Sequence, residues 1–261
     1  MQTDTITSLQ NPKIKNVTLL REKSGERNRQ KLFPVEGIRE IKMAVSGGYE
    51  IDTLFVCHEL KKTVPDFYTK NICNVNRKVF EKMACREDSD GFIAVFKMKT
   101  NTLSDIKLSA APFVIALEAI EKPGNLGAIL RTADAANVDA VIVCDPKSDI
   151  LNPNVIRSSL GCVFVVNTVV CSSEEAFKWM KNNNITAYAA ELEASRQYCD
   201  ENYTCGSAIV MGAESTGLSD FWLKNADKRI KIPMKGKVDS LNVSVSTAIL
   251  TFEVMRQRKF M

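Results

Sequence analysis

From Pro112 onward the chain alternates short apolar runs with amphipathic stretches, and that alternation leaves few architectures open. Residues 113–117, 140–144, 163–169, 185–190, 208–211 and 229–232 read as strands, being short apolar runs bounded by polar and turn residues. Residues 126–136, 155–160 and 173–182 read as helices. A final helix opens near Asn242, where Ser240, Asn242 and Ser244 offer caps. Val245, Ala248, Ile249, Phe252 and Met255 recur along it at helical spacing, and Arg256, Arg258 and Lys259 sit where they complement the helix dipole. The expected fold is α/β, a mostly parallel sheet with helices on both faces. Ligand loops should gather at the carboxyl ends of its strands.

The first hundred residues form a separate, smaller α/β pattern. A helix over 10–30 precedes a strand at 31–36, a helix at 38–45 ended by Gly47-Gly48 and a strand at 51–57. A strand at 72–75, a helix at 77–85 and a strand at 91–97 follow. The polar, poorly periodic stretch 97–107 reads as a linker, which divides the chain into residues 1–100 and 107–261. Charge divides the same way. Residues 1–100 hold 18 Lys/Arg against 13 Asp/Glu, whereas residues 101–261 hold 17 against 18. A basic run over 13–42, including Arg27, Arg29, Lys31 and Arg39, suits either phosphate contact or a solvated helix face.

Composition also excludes chemistry. The single histidine, His58, ends an apolar run and reads as a strand-end surface residue, so histidine acid–base catalysis has no support. Eight cysteines without a Cys-x-x-Cys pair, several in apolar runs, read as buried, reduced, non-catalytic thiols of a cytoplasmic protein, and no metal site is expected. No apolar run approaches a membrane span, and the N-terminus lacks a basic-then-apolar leader. Neither a Gly-x-Gly-x-x-Gly turn nor a Gly-Lys-Ser/Thr phosphate loop is present.

Three stretches carry the remaining signal. The first, at 119–135, contains Pro123-Gly-Asn-Leu-Gly127 and Arg131; the second, at 209–219, contains Gly212-Ala-Glu-Ser-Thr-Gly217. The third runs from Arg229 through Ile232-Pro-Met234 and Leu241-Asn-Val-Ser244 into the last helix. Taken alone, Arg131 would be a surface arginine and Glu214 a turn or helix cap. In order and spacing, however, the three resemble the motifs of the SpoU/TrmH branch of the SPOUT RNA methyltransferases, over residues 112–258. Phe33-Pro-Val-Glu-Gly-Ile-Arg39 resembles, more briefly, the start of that family's ribosomal-protein-like substrate-binding domain.

The resemblance implies transfer of a methyl group from S-adenosylmethionine to a ribose 2′-hydroxyl of RNA, ribosomal RNA before tRNA. It also implies a deep trefoil knot and a homodimer. By position Arg131, Asn125, Glu214, Asn242 and Ser244 match catalytic residues, and Gly212, Ile232 and Leu241 match the cofactor pocket, to which Met234 is expected to contribute. Asn154-Val-Ile-Arg-Ser-Ser-Leu-Gly161 resembles a further family segment, in which Arg157 is a candidate phosphate contact or a salt-bridge residue. A base-methylating relative and a non-catalytic RNA-binding protein of the same fold are the rival readings.

Overall fold

The computed structural model describes residues 5–60, 67, 69, 71–86, 88–238 and 240–260. The chain divides into two compact units, Met1–Lys99 with Leu151–Val165, and Thr100–Ile150 with Val166–Met261.

In the first unit, helices α1 (Pro12–Glu22) and α2 (Ser24–Gln30) precede strand β1 (Leu32–Glu36) and helix α3 (Ile38–Ser46). Strands β2 (Ile51–Val56) and β3 (Ile72–Asn74), helix α4 (Arg77–Met83) and strand β4 (Phe92–Lys97) complete it. The sheet order is β1-β4-β2-β3; β4 is antiparallel to both neighbours and β2 is parallel to β3. Ile14, Val17 and Leu20 of α1 and Val79, Phe80 and Met83 of α4 pack with Phe55, Ile93 and Val95 of the sheet. The helix expected over 10–30 is two helices, because Lys23 takes an extended conformation (φ −118°, ψ 111°) between them.

The second unit runs β5 (Phe113–Glu118), α5 (Pro123–Ala135) and β6 (Ala140–Cys144). Helix α6 (Pro153–Ser158) follows in the segment that belongs to the first unit. The chain then returns through β7 (Thr168–Cys171), α7 (Ser173–Asn182), β8 (Thr186–Ala190), β9 (Arg196–Gln197) and β10 (Ser207–Met211). It ends with α8 (Asp220–Asn225), β11 (Lys228–Lys231) and α9 (Val243–Gln257).

The order β7-β6-β5-β10-β8-β11-β9 is parallel at each pairing. Val114, Ala116, Ala187, Ala189, Ala208 and Val210 face Ala176 and Met180 of α7 and Trp222 of α8. The alternate residues Ile115, Leu117, Ile209 and Met211 are buried too, so both sheet faces are covered, as in a parallel α/β layer. α5 packs against α9, and α9 against β10.

The run 163–169, expected as a strand, is instead a 3₁₀ turn at Cys162–Phe164, with the strand starting at Thr168. Tertiary packing overrides its β propensity. Phe164 sits in an aromatic cluster with Phe33 (5.8 Å between centroids) and Tyr49 (5.1 Å). A side chain at Gly47 would lie 2.1 Å from the Phe164 carbonyl oxygen, so this seat needs the close backbone approach of a glycine. No described helix is long and apolar enough to cross a membrane.

Candidate active site

Strands β5 and β10 are neighbours whose following connections leave in opposite directions, β5 to β6 and β10 to β11. The crevice at their carboxyl ends is the topological switch point of the sheet. The first motif loop follows β5, the second follows β10 and the third follows β11. Pro123 opens α5 at its first turn, where a missing N–H costs nothing, and presents Asn125. The second loop closes on itself: Ala213 N–H donates to Gly217 O at 3.1 Å and Gly217 N–H to Ala213 O at 2.9 Å. A side chain at Gly212 would lie 2.2 Å from the Gly217 carbonyl carbon, and Gly217 takes φ +67°. Glu214 stands on this closed turn.

Four of the residues singled out from sequence come together. Asn125 donates from Nδ2 to Glu214 Oε1. Asn242 donates from Nδ2 to Asn125 Oδ1 at 3.2 Å. Asn242 Oδ1 caps α9, accepting from Ser244 N–H at 2.9 Å and Ser244 Oγ at 2.6 Å. A carboxylate can only accept, so Glu214 fixes which end of Asn125 faces it and thereby the amide orientation of Asn242. The result is a directed chain from Ser244 to Glu214 across all three motif loops.

Arg131 lies further along α5, exposed, with no ion pair or hydrogen bond of its guanidinium among the described residues. Of the residues expected to hold a cofactor, Gly212 packs against Gly217, Ile232 and Met234 are half-buried, and Leu241 is exposed beside Asn242. The backbone of residues 234–238 makes no backbone hydrogen bond among the described residues. These peptide groups, beside Ile232 and Met234, are left free to meet a polar ligand.

Glu121, after β5, pairs with Lys147 at 2.8 Å, which holds its carboxyl below the usual range. Cys144 and Cys171 pair across β6 and β7; the hydrogen bond to Cys171, and then burial, push the Cys144 thiol well above its ordinary value. Such a thiol is a poor nucleophile. Cys85, Cys199 and Cys205 are exposed, which corrects the expectation of buried cysteines: they lie outside the core strands. Among the described residues no group of three His, Cys, Asp or Glu could hold a metal ion.

The residues expected to meet RNA fall in the first unit. Arg29, Lys31, Arg39 and Arg157 are exposed, Arg29 pairing with Glu26 at 2.6 Å. Arg27 corrects the expectation. It is 2% exposed and donates to the carbonyls of Leu20 at 2.7 Å and Arg21 at 3.2 Å, satisfying the carboxyl end of α1 rather than facing solvent. Sequence reasoning missed Glu118 and Ser219, which hydrogen-bond beneath the second loop. Periodicity gives no sign that the carboxylate ending β5 is buried.

Fold and loops thus define a parallel α/β protein whose three motif loops follow strands β5, β10 and β11 around a topological switch point. Residues 112–252 match the SpoU rRNA Methylase family, so the chain belongs to that family, and residues 11–94 match the MRM3-like substrate binding domain. The chain is 36% identical over 190 residues to the 23S rRNA (guanosine-2'-O-)-methyltransferase RlmB of Vibrio vulnificus, covering 70% of this chain and 77% of the relative. It is 28% identical over 251 residues to the 23S rRNA (guanosine(2553)-2'-O)-methyltransferase RlmP of Bacillus subtilis, covering 95% and 98%. The crystal structure of an AdoMet-bound rRNA methyltransferase from Sinorhizobium meliloti superposes with a TM-score of 0.88 at 28% identity, covering 98% of each chain.

Proposed function

We propose that this protein methylates a ribose 2′-hydroxyl of ribosomal RNA, using S-adenosylmethionine. The observation that carries the reading is the hydrogen-bonded chain Ser244–Asn242–Asn125–Glu214, which ties the three motif loops together at the sheet's switch point. Relatives named as 23S rRNA 2'-O-methyltransferases support the substrate class. Ile232, Met234 and Leu241, with Gly212, would hold the adenosine through backbone groups and apolar contact. When bound, the cofactor supplies an electrophilic methyl carbon on a sulfonium.

The chain's own residues then have to orient the ribose and manage one proton. Residues 100–261 contain no histidine, and a guanidinium stays protonated in proteins, so neither offers a general base. Arg131, exposed and with no ion pair among the described residues, is suited to grip a neighbouring phosphate and stabilise the charge developing on the 2′-oxygen. The proton passes to that phosphate or to water. Asn125, Asn242 and Ser244 align the ribose.

In this reading residues 1–100 select the RNA and residues 107–261 hold the cofactor, with the family's knotted threading of the C-terminal segment. The protein acts as a homodimer. Val245 (48% exposed) and Phe252 (43%) lie two turns apart on α9, an apolar face suited to a second copy. Incubation with labelled S-adenosylmethionine and in vitro transcribed 23S rRNA, followed by mapping of alkali-resistant linkages, tests the assignment. One resistant position is expected; label on a base, or none on RNA, would contradict it.

A further inference from the structure

We propose that Glu118 is a positioning residue that holds the 212–219 loop, and through it Glu214, against Asn125. Glu118 closes β5 and is 7% exposed. Its Oε2 accepts from the Ser219 backbone N–H at 2.7 Å and its Oε1 from the Ser219 hydroxyl at 2.6 Å. Oε1 also lies 3.2 Å from the Ser173 hydroxyl. That hydroxyl is closer to Asp145 Oδ2, at 2.8 Å, and accepts from Trp222 Nε1 at 3.1 Å. A serine has one hydroxyl proton, so the shorter contact to Asp145 takes most of it. Glu118 therefore depends on Ser219 for its two short donors.

The dependence is reciprocal. A buried carboxylate stripped of its donors is strongly destabilised, so Ser219 is held where both its N–H and its hydroxyl reach Glu118. Ser219 is the N-cap of α8, two residues beyond the turn closed by Ala213 and Gly217. That turn carries Glu214, the acceptor that sets the direction of the amide chain. Glu118 has no hydrogen bond to any member of that chain; it acts from beneath, at the base of the loop. This inference rests on the reading of Glu214 as part of the methyl-transfer site.

Two measurements on the full chain test it. Hydrogen–deuterium exchange reads loop order without requiring activity. In Glu118→Ala, amides of residues 213–219 should exchange about tenfold faster while those of β5 and β10 keep their protection. Exchange rising everywhere together, or nowhere, would overturn the proposal. Single-turnover transfer to in vitro transcribed 23S rRNA reads the consequence. Glu118→Ala should lose about tenfold or more, and Glu118→Gln, which keeps the shape and one acceptor, should lose less. In a Glu214→Ala background the further loss from Glu118→Ala should be under about twofold, because the loop then has nothing left to position. Losses that multiply would instead show that Glu118 acts independently of Glu214. Should Glu118→Ala fail to fold, Glu118→Gln carries both measurements. Failure of the wild-type protein to methylate this RNA would overturn the proposed function, while the exchange result would still judge the role of Glu118.

Discussion

Asn242, the N-cap of the last helix, donates its side-chain amide to Oδ1 of Asn125 at 3.2 Å, a bond between residues 117 apart in the chain. Because Asn125 in turn donates to Glu214, its two ends are not interchangeable. Asn125→Asp would set a second carboxylate against Glu214 and remove a charge-assisted bond. Single-turnover methyl transfer should fall about 10- to 100-fold, on the scale of one hydrogen bond to a charged group. Wild-type rates in Asn125→Asp would contradict the directed chain.

Gly212 leaves no room for a side chain beside Gly217. Gly212→Ala should therefore weaken S-adenosylmethionine binding and transfer together, by about tenfold or more, by opening the turn that carries Glu214. Calorimetric titration with the cofactor checks this; unchanged affinity would mean that the turn does not shape the pocket.

The seat of Phe164 makes the opposite prediction, an effect on the first unit alone. Phe164→Ala removes a buried ring packed on Phe33 and Tyr49 and should cost about 3 kcal/mol locally. Amide exchange should rise in β1 and β4 and stay slow in β5 and β10. A fragment of residues 1–100 lacks this ring altogether and should be less stable than the same residues in the whole chain.

Arg258 donates to four backbone carbonyls, those of Ala111 (2.6 Å), Pro112 (3.2 Å), Tyr203 (2.9 Å) and Cys205 (2.6 Å). It ties the end of α9 to the segments entering β5 and β10. Arg258→Ala should destabilise the protein by about 2–3 kcal/mol in urea unfolding. Arg258→Lys should recover little of that, since an ammonium lacks the planar fork. Equal stability of wild type and Arg258→Ala would refute the clamp.

How far sequence carries can be judged from such residues. The parallel sheet and both motif turns were legible because alternation and Gly/Pro punctuation are local signals. The meeting of Asn125, Glu214 and Asn242 rested on family resemblance, since no local rule joins distant loops. Arg258 read as an ordinary dipole-complementing cation, and Arg27 as a phosphate contact; only tertiary structure shows that each satisfies backbone carbonyls. The 163–169 run misled for the same reason. Its apolar β-branched residues are those of a strand, but only Thr168 and Val169 enter one, while Phe164 packs on Phe33 and Tyr49.

Arg131 tests the central claim most directly, because it is exposed, has no ion pair among the described residues and lies outside the amide chain. Arg131→Ala should leave S-adenosylmethionine affinity nearly unchanged while single-turnover transfer falls about 10²-fold or more, as for loss of a transition-state donor. Arg131→Lys keeps the charge without the fork and should recover only part of the rate. The measurement is single-turnover methylation of in vitro transcribed 23S rRNA by both variants, with cofactor affinity determined in parallel. Transfer lost at unchanged affinity is the predicted result; near-normal transfer by Arg131→Ala would contradict the account.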